Sequence, residues 1–128
     1  MNEIMAAAKA VEEKIIENRR RLHQNPEIGF DLPETAAYIQ AQLLEMGIEP
    51  QDCGGPVDPE VRTKFRTAGF PDMANCTGVV ATIGKGAPCI LLRGDMDALP
   101  MKETSGLDFA SQCHFAHTCG HDSHAAML

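Results

Sequence analysis

Two amphipathic helical patterns precede two short apolar runs in this chain, and that order constrains the fold more than any other feature. In the first pattern the apolar residues recur at helical spacings on one face, and they are Ile4, Ala8, Val11, Ile15 and Leu22. The pattern predicts a helix that stops within 23–26, because Pro26 disfavours a helical conformation at the residue before it. The arginines at 19–21 are predicted to be solvated at the helix end, where positive charge complements the helix dipole.

The second helical pattern follows a loop that runs through Phe30. Asp31, Pro33 and Glu34 supply a side-chain acceptor, an early proline and a following glutamate, which are typical of a helix start. Gly47 suits the left-handed conformation that often ends a helix, so the helix is predicted to stop at residue 46 or 47. Its predicted buried stripe consists of Ala36, Ile39, Leu43 and Met46.

The apolar runs are predicted to be strands. Residues 77–83 are β-branched and mostly apolar, and a turn signal at 84–86 separates them from the second run at 89–93. The second run is continuously apolar, as in a strand covered on both faces. Residues 48–75, with several Gly and Pro, are predicted to form an irregular excursion. Helices followed by buried strands indicate an α/β layer structure, and 128 residues allow one ordinary domain at most.

Charge and composition exclude several classes of function. The chain has 11 Lys and Arg against 18 Asp and Glu, a net charge of −7 that disfavours nucleic acid as a partner. No apolar run approaches the roughly 20 residues that cross a bilayer, and the start lacks a signal-peptide pattern, so we expect a cytoplasmic protein with no membrane partner. The five cysteines, an odd number, are expected to be reduced thiols.

Histidine is concentrated near the end of the sequence. Four of the five histidines fall within eleven residues, interleaved with Cys113, Cys119 and Asp122, and these four are His114, His117, His121 and His124. A thiolate with imidazoles is the ligand set typical of zinc or a similar divalent metal. Gly120 lets the backbone approach an ion closely, and side chains two residues apart can point to the same side. We therefore predict that Cys119 and His121 ligate metal, on a loop that enters a helix capped by Asp122 or Ser123.

Three alternatives compete with an open metal site. The histidines could be solvated loop residues beside a buried cysteine, although their clustering argues against this for the group. A structural zinc module usually has two spaced pairs of ligands, whereas this chain has one compact group. A nucleophilic Cys119 with a histidine base would leave the other histidines without a role, together with Asp95 and Asp97.

Asp95 and Asp97 directly follow the second apolar run, within the segment 94–100. The carboxyl ends of strands form the edge where open α/β sheets place their ligands, which makes this pair a candidate for chemistry. Aspartate and glycine are also ordinary loop residues. From spacing alone, both interpretations stay open.

Three motifs occur in an order typical of one family, and they are RRLHQNPEIGF at 20–30, GDMDALP at 94–100 and HTCGHDSH at 117–124. The chain resembles the N-terminal part of the metal-dependent amidohydrolases that include N-acyl-amino-acid amidohydrolases, hippurate hydrolases and indoleacetyl-amino-acid hydrolases. That family lies in a clan of dinuclear metallopeptidases with aminoacylase and carboxypeptidase members. The segment 54–75 and the approach at 109–111 look most like the aminobenzoyl-glutamate hydrolase branch.

The resemblance implies roles for particular residues. Cys119 and His121 match two metal ligands, and Asp97 matches the catalytic aspartate that orients a ligand and assists at the dinuclear centre. Asp95 stands where more distant members carry a ligating histidine. The implied cofactors are two divalent ions (Zn, Mn, Ni or Co), the implied partner is a small-molecule N-acyl amino acid, and the full-length form is expected to be a homodimer.

The resemblance also implies a reaction and a fold. Water activated by the two ions would attack the amide carbonyl, and a glutamate would take its proton. That glutamate, a ligand glutamate, two further histidines and the lid or dimerisation domain are expected beyond the last motif. We therefore expect residues 1–128 to be the N-terminal portion of a three-layer catalytic domain, a mostly parallel sheet flanked by helices, truncated within an apolar helix. Such a fragment is expected to bind metal weakly and to be inactive, and a non-catalytic metal-binding fragment stays an alternative.

Overall fold

The computed structural model describes residues 2–128 as a mixture of helices and short strands. The elements in chain order are α1 Glu3–Gln24, α2 Pro33–Glu45, β1 Pro50–Asp52, β2 Gly55–Pro56, α3 Pro59–Thr67, β3 Asn75–Cys76, β4 Val79–Ala81 and α4 His121–Met127. β1 pairs antiparallel with β4, and β2 pairs antiparallel with β3. The one parallel contact among the described residues is an isolated bridge between Ile28 and Ala98. The α/β class is confirmed, and within residues 2–128 no helix has the length and apolar character needed to cross a membrane.

Helix α1 ends where the sequence predicts. Its first turn is capped by the Asn2 side chain, which accepts a hydrogen bond from the backbone N–H of Ile4 at 3.1 Å. The apolar face is buried only near the C-terminal end, where α1 packs against α4. Leu22 is 5% exposed, whereas Ile4 is 73% exposed. The periodicity therefore predicted the helix correctly but not how much of its apolar face is covered.

Helix α2 also ends as predicted, but its start is capped differently. The predicted cap by Asp31 is wrong, because the helix begins after Leu32, which makes no side-chain capping bond. Instead, the Glu27 carboxylate accepts hydrogen bonds from the backbone N–H groups of Glu34 and Thr35 at 3.3 and 2.7 Å. A carboxylate from the preceding loop thus satisfies free N–H groups at the positive end of the helix dipole. Met46, predicted to be buried, is exposed.

The prediction that residues 48–75 are irregular is wrong. This segment contains β1, β2 and the nine-residue helix α3. The Asp58 carboxylate accepts from the backbone N–H groups of Glu60 and Val61 at 2.9 and 3.2 Å, and Pro59 occupies the first turn. An aspartate followed by a proline is a helix-start signal as well as a turn signal, and here it starts a helix.

The two predicted strands have different outcomes. β4 lies inside the predicted range 77–83, although it is shorter. The predicted buried strand at 89–93 is wrong: no strand forms there, and Leu91 is 84% exposed. A strand needs a neighbouring strand to satisfy its backbone groups and a layer to cover its side chains. The described residues supply neither at 89–93.

The loop at 26–30 is held by contacts that depend on a glycine. Gly29 has φ +82°, and a Cβ atom there would lie 2.1 Å from the sulfur of Met73. Met73 is buried, and its sulfur accepts a hydrogen bond from the Phe30 backbone N–H at 3.0 Å. Thr77 extends this packing, because its backbone N–H donates to the Phe30 carbonyl at 2.8 Å. The loop therefore has a fixed position from which Ile28 reaches the segment at 94–100.

Candidate metal centre

Backbone hydrogen bonds place segments from the three sequence motifs side by side. The Ala98 N–H donates to the Glu27 carbonyl at 2.7 Å, next to the Ile28–Ala98 bridge. Leu99 and Ala116 exchange two hydrogen bonds of 3.0 Å each. The segments at 20–30, 94–100 and 117–124 thus converge on one region, which brings their titratable side chains within reach of one another.

His121 is the first residue of α4, and its ring is held by Asp97. Gly120 precedes it in the left-handed conformation, with φ +85°, which sets the direction in which the helix begins. The His121 Nδ1 atom lies 3.0 Å from Asp97 Oδ1 and 2.9 Å from the Asp97 backbone oxygen. Both neighbours are acceptors, so Nδ1 donates its proton to them and Nε2 is the ring nitrogen left for another ligand. Carboxylates orient metal-binding histidines in this way.

The free edge of the His121 ring faces two further potential ligands. One ligand atom each from Asp95, His121 and His124 lies within 4.8 Å of the other two. The closest charged neighbour of His121 Nε2 is Asp95 Oδ2 at 3.9 Å, and the His121 and His124 ring centroids are 5.3 Å apart. The other Asp95 oxygen pairs with Arg93. Among residues 2–128, this is the group in which three potential ligand side chains come together.

Cys119 lies outside this group of three ligand atoms. Its thiol is exposed, and in the part of the chain that the structure describes no hydrogen bond joins it to an imidazole. The predicted ligation of a shared ion by Cys119 and His121 stays a prediction. A nucleophilic cysteine needs a base within hydrogen-bond reach, and the described geometry does not provide one.

The remaining members of the histidine-rich segment differ in burial. His117 is buried, and burial lowers the pKa of its imidazole, which favours the neutral ring. Neither ring nitrogen of His117 has a hydrogen-bond partner among the described residues. His114 is exposed, and the Cys113 thiol lies 3.3 Å from the Ser111 hydroxyl. His114 and Cys113 are not part of the group around His121.

A buried network of four charged or titratable side chains lies next to this group and consists of Arg19, His23, Glu103 and Asp122. Asp122 is 1% exposed, and its Oδ2 atom lies 2.8 Å from Arg19 Nε and 2.7 Å from His23 Nδ1. The other nitrogen of His23 lies 3.0 Å from Glu103 Oε1. The predicted cap of α4 by Asp122 or Ser123 is wrong, because α4 begins after Gly120 and has no side-chain capping bond. The prediction that Arg19 is solvated is also wrong, since Arg19 pairs with Asp122. Buried charges need such partners because desolvation is costly.

Glu103 anchors the far end of the buried network. Hydrogen bonds from the Ser105 hydroxyl, from His23 and from the Ser111 backbone N–H lower the pKa of its carboxyl from 4.5 to about 2, against the opposing effect of desolvation. Sequence reasoning missed this residue. It also missed the pairing of His23, although Arg19 and His23 are four residues apart on one helix face. The network joins α1 to α4 and fixes the backbone that carries His121.

Comparisons with known proteins extend these observations. No family model matches the chain. Thermostable carboxypeptidase 2 of Saccharolobus solfataricus is 36% identical over 123 residues, which are 94% of this chain and 26% of that protein. IAA-amino acid hydrolase ILR1-like 5 of Arabidopsis thaliana is 34% identical over 112 residues, which are 86% of this chain and 21% of that protein. The chain spans about a quarter of the length of these relatives.

A solved structure agrees with these relatives. A dinuclear metal-binding peptidase of the M20 family from Bacillus subtilis matches with a TM-score of 0.70 and 36% identity. The match covers 92% of this chain and 29% of that one. The resemblance carried by the three sequence motifs is thus confirmed by sequence and by fold, and the chain belongs to the M20 family of metal-dependent peptidases and amidohydrolases.

Proposed function

We propose that the chain forms the N-terminal portion of the catalytic domain of a metal-dependent amidohydrolase. The proposed reaction is hydrolysis of the amide bond between an acyl or aroyl group and an amino acid. The observation that carries the proposal is the His121 ring, which Asp97 holds at Nδ1 and whose Nε2 lies 3.9 Å from Asp95 Oδ2, with His124 close by. The substrate class is supported by a relative named as an IAA-amino acid hydrolase, and the aminobenzoyl-glutamate branch stays a prediction.

The donor set in this region fits divalent ions. Imidazole, thiolate and carboxylate are the ligands of zinc and its neighbours, and His121, Cys119 and Asp95 supply one of each. We propose Cys119 and His121 as metal ligands and Asp97 as the residue that orients His121. When bound, two divalent ions (Zn, Mn, Ni or Co) would polarise the amide carbonyl and lower the pKa of a water molecule.

The side chains of this segment position metal ligands, and none of them is assigned to proton transfer in the reaction. Asp97 keeps the proton on His121 Nδ1, which leaves Nε2 available for a metal. The buried network holds the start of α4 through Asp122, the residue that follows His121. No residue of this segment is assigned as the general base, so the purified chain alone is expected to show negligible turnover.

A chimaera tests the proposed function. The matching segment of the Bacillus subtilis peptidase is replaced by this chain, and the product is assayed with N-acetyl and N-benzoyl amino acids. Activity should disappear with a chelator, return with Zn, Mn, Co or Ni, and be abolished by His121→Asn. The exposed His114→Asn variant is the control and should keep its activity.

Two results of the chimaera assay would contradict the proposal. Activity that resists chelation but is lost on thiol alkylation would assign the reaction to a nucleophilic cysteine. A folded chimaera that binds metal but cleaves none of these amides would make the segment a binding module. Homodimerisation of a longer form and a cytoplasmic location stay predictions.

A further inference from the structure

We propose that His23 positions the metal ligand His121 by linking Glu103 to Asp122 as a doubly protonated, positively charged ring. The inference rests on the proposed function, because the residue that it positions is His121. It goes further by giving a role to the histidine of the first sequence motif, which lies outside the group of potential metal ligands. His23 acts through other residues, so it is a positioning residue and not a catalytic one.

Both ring nitrogens of His23 lie at hydrogen-bond distance from a carboxylate. Nδ1 is 2.7 Å from Asp122 Oδ2, and Nε2 is 3.0 Å from Glu103 Oε1. An ionised carboxylate only accepts hydrogen bonds, so each of the two nitrogens has to donate. A neutral imidazole has a single N–H and would turn the lone pair of its other nitrogen toward an oxygen. Both nitrogens of His23 therefore carry a proton, and the ring is a cation.

Glu103 is the carboxylate that makes this charge state necessary. Hydrogen bonds from the Ser105 hydroxyl, from His23 and from the Ser111 backbone N–H lower the pKa of its carboxyl from 4.5 to about 2, although desolvation opposes them. Glu103 is therefore ionised at neutral pH and has no proton to donate. The proton between Glu103 and His23 Nε2 has to belong to the imidazole.

The charges of the buried network cancel when His23 is protonated. Arg19 and His23 then supply two positive charges, and Asp122 and Glu103 supply two negative ones. Arg19 Nη2 lies 3.3 Å from His23 Nδ1, but Arg19 Nε and His23 Nδ1 both donate to the same Asp122 oxygen. A neutral His23 would leave a net negative charge in a buried place, which is costly. Two further rings pack near His23 without adding a charge, and they are Phe109 and the buried, neutral His117.

The start of α4 depends on this link. The helix has only seven residues and begins without a side-chain cap. Its second residue, Asp122, is 1% exposed and is tied to α1 through His23. His121 precedes Asp122 in the same helical turn, so this tie determines where the His121 ring meets the Asp97 carboxylate. We therefore expect a neutral side chain in place of His23 to displace the His121 ring.

Nitrogen-15 NMR of the metal-free chain at neutral pH tests the charge and the positioning together. In the wild type we expect a bonded proton on each ring nitrogen of His23, and a proton on His121 Nδ1 that is hydrogen-bonded to Asp97. His23→Gln keeps one donor and one acceptor but has no charge, and the signal of the His121 Nδ1 proton should be lost. His114→Gln, the control at an exposed histidine, should leave that signal unchanged. Circular dichroism checks that each variant is folded.

A milder variant, Glu103→Gln, gives a second test if His23→Gln does not fold. It removes the negative charge beside Nε2 and leaves the bond of His23 to Asp122 in place. A glutamine N–H donates to an unprotonated nitrogen, so we expect His23 Nε2 to lose its proton in this variant. An unchanged pair of protonated nitrogens would show that Glu103 does not set the charge of the ring.

The zinc-loaded chimaera measures the consequence for the metal centre. We expect His23→Gln to weaken Zn²⁺ binding by about tenfold and to lower kcat. The KM for an N-acetyl amino acid should stay the same, because His23 is buried in the network and does not contact substrate. His114→Gln is again the control.

Two results would overturn the proposal. A single protonated nitrogen on His23 in the wild type would show that the ring is neutral. A His23→Gln variant that is less stable, yet keeps the wild-type His121 signal and Zn²⁺ affinity, would make His23 a structural residue only. Neither result bears on the proposed function, which fails separately if the folded chimaera cleaves no amide.

Discussion

Two regions of this molecule differ in which side chains they bury: one buries a charged side chain, and the other leaves apolar side chains exposed. In the buried network, Asp122 is 1% exposed between α1 and α4, whereas in the apolar run at 89–93 Leu91 is 84% exposed. Asp122 is buried because Arg19 and His23 lie within 2.8 Å of its carboxylate. The apolar run is exposed because no other described element covers it. Burial in this chain therefore follows the partners that its own elements supply, rather than side-chain polarity alone.

The largest predicted effect comes from breaking the buried network. Asp122→Ala leaves Arg19 and His23 without their shared carboxylate, and we expect the free energy of unfolding to fall by about 4 kcal/mol. Urea denaturation followed by circular dichroism measures the change. The control is Asp72→Ala, which removes an exposed ion pair with Arg62 and should change stability little. Equal effects of the two substitutions would show that the network does not stabilise the fold.

A pair of leucine substitutions compares the two regions directly. Leu22→Ala removes a buried side chain near the C-terminal end of α1, and we expect a loss of about 3 kcal/mol. Leu91→Ala removes the same atoms from an exposed position, so stability should change within about 0.5 kcal/mol. The same urea experiment measures both. A large loss for Leu91→Ala would mean that the apolar run is covered in solution.

The smallest predicted effect is a change in how the stability of the fold depends on pH under acidic conditions. The folded pKa of Glu103 is lowered from 4.5 to about 2, so between these pH values the folded chain binds fewer protons than the unfolded chain. The stability that Glu103 contributes is present above pH 4.5 and is lost as the pH falls toward 2. Thermal unfolding across this window should show a shallower pH slope for Glu103→Gln. Glu12→Gln, on the exposed face of α1, should keep the wild-type slope.

Local sequence patterns predicted the elements whose signals lie within a few residues. The end of α1 before Pro26 and the end of α2 before Gly47 are examples, since each depends on the conformation of one residue. Helix α3 was missed because the several Gly and Pro residues of 48–75 indicated an irregular segment. The carboxylate cap of α2 was missed because Glu27 lies outside the helix that it caps.

The residues of the candidate site could be predicted from the sequence, but the hydrogen bonds that join them could not. The motifs identified His121, and the resemblance implied the role of Asp97. The structure adds the hydrogen bond that joins the Asp97 carboxylate to the His121 ring. The contacts of His23 with Glu103 and Asp122 join residues 80 and 99 positions apart, and no local periodicity encodes them. The strand predicted at 89–93 is absent for the converse reason, since its side chains are apolar but have no covering layer among the described residues.

The most direct test of the central claim is the nitrogen-15 NMR spectrum of the His121 ring, recorded before and after addition of Zn²⁺. We predict a proton on Nδ1 in the metal-free chain, held by Asp97, and a large shift of Nε2 alone when zinc binds. A proton on Nε2, or zinc that leaves the His121 ring unchanged, would contradict the account.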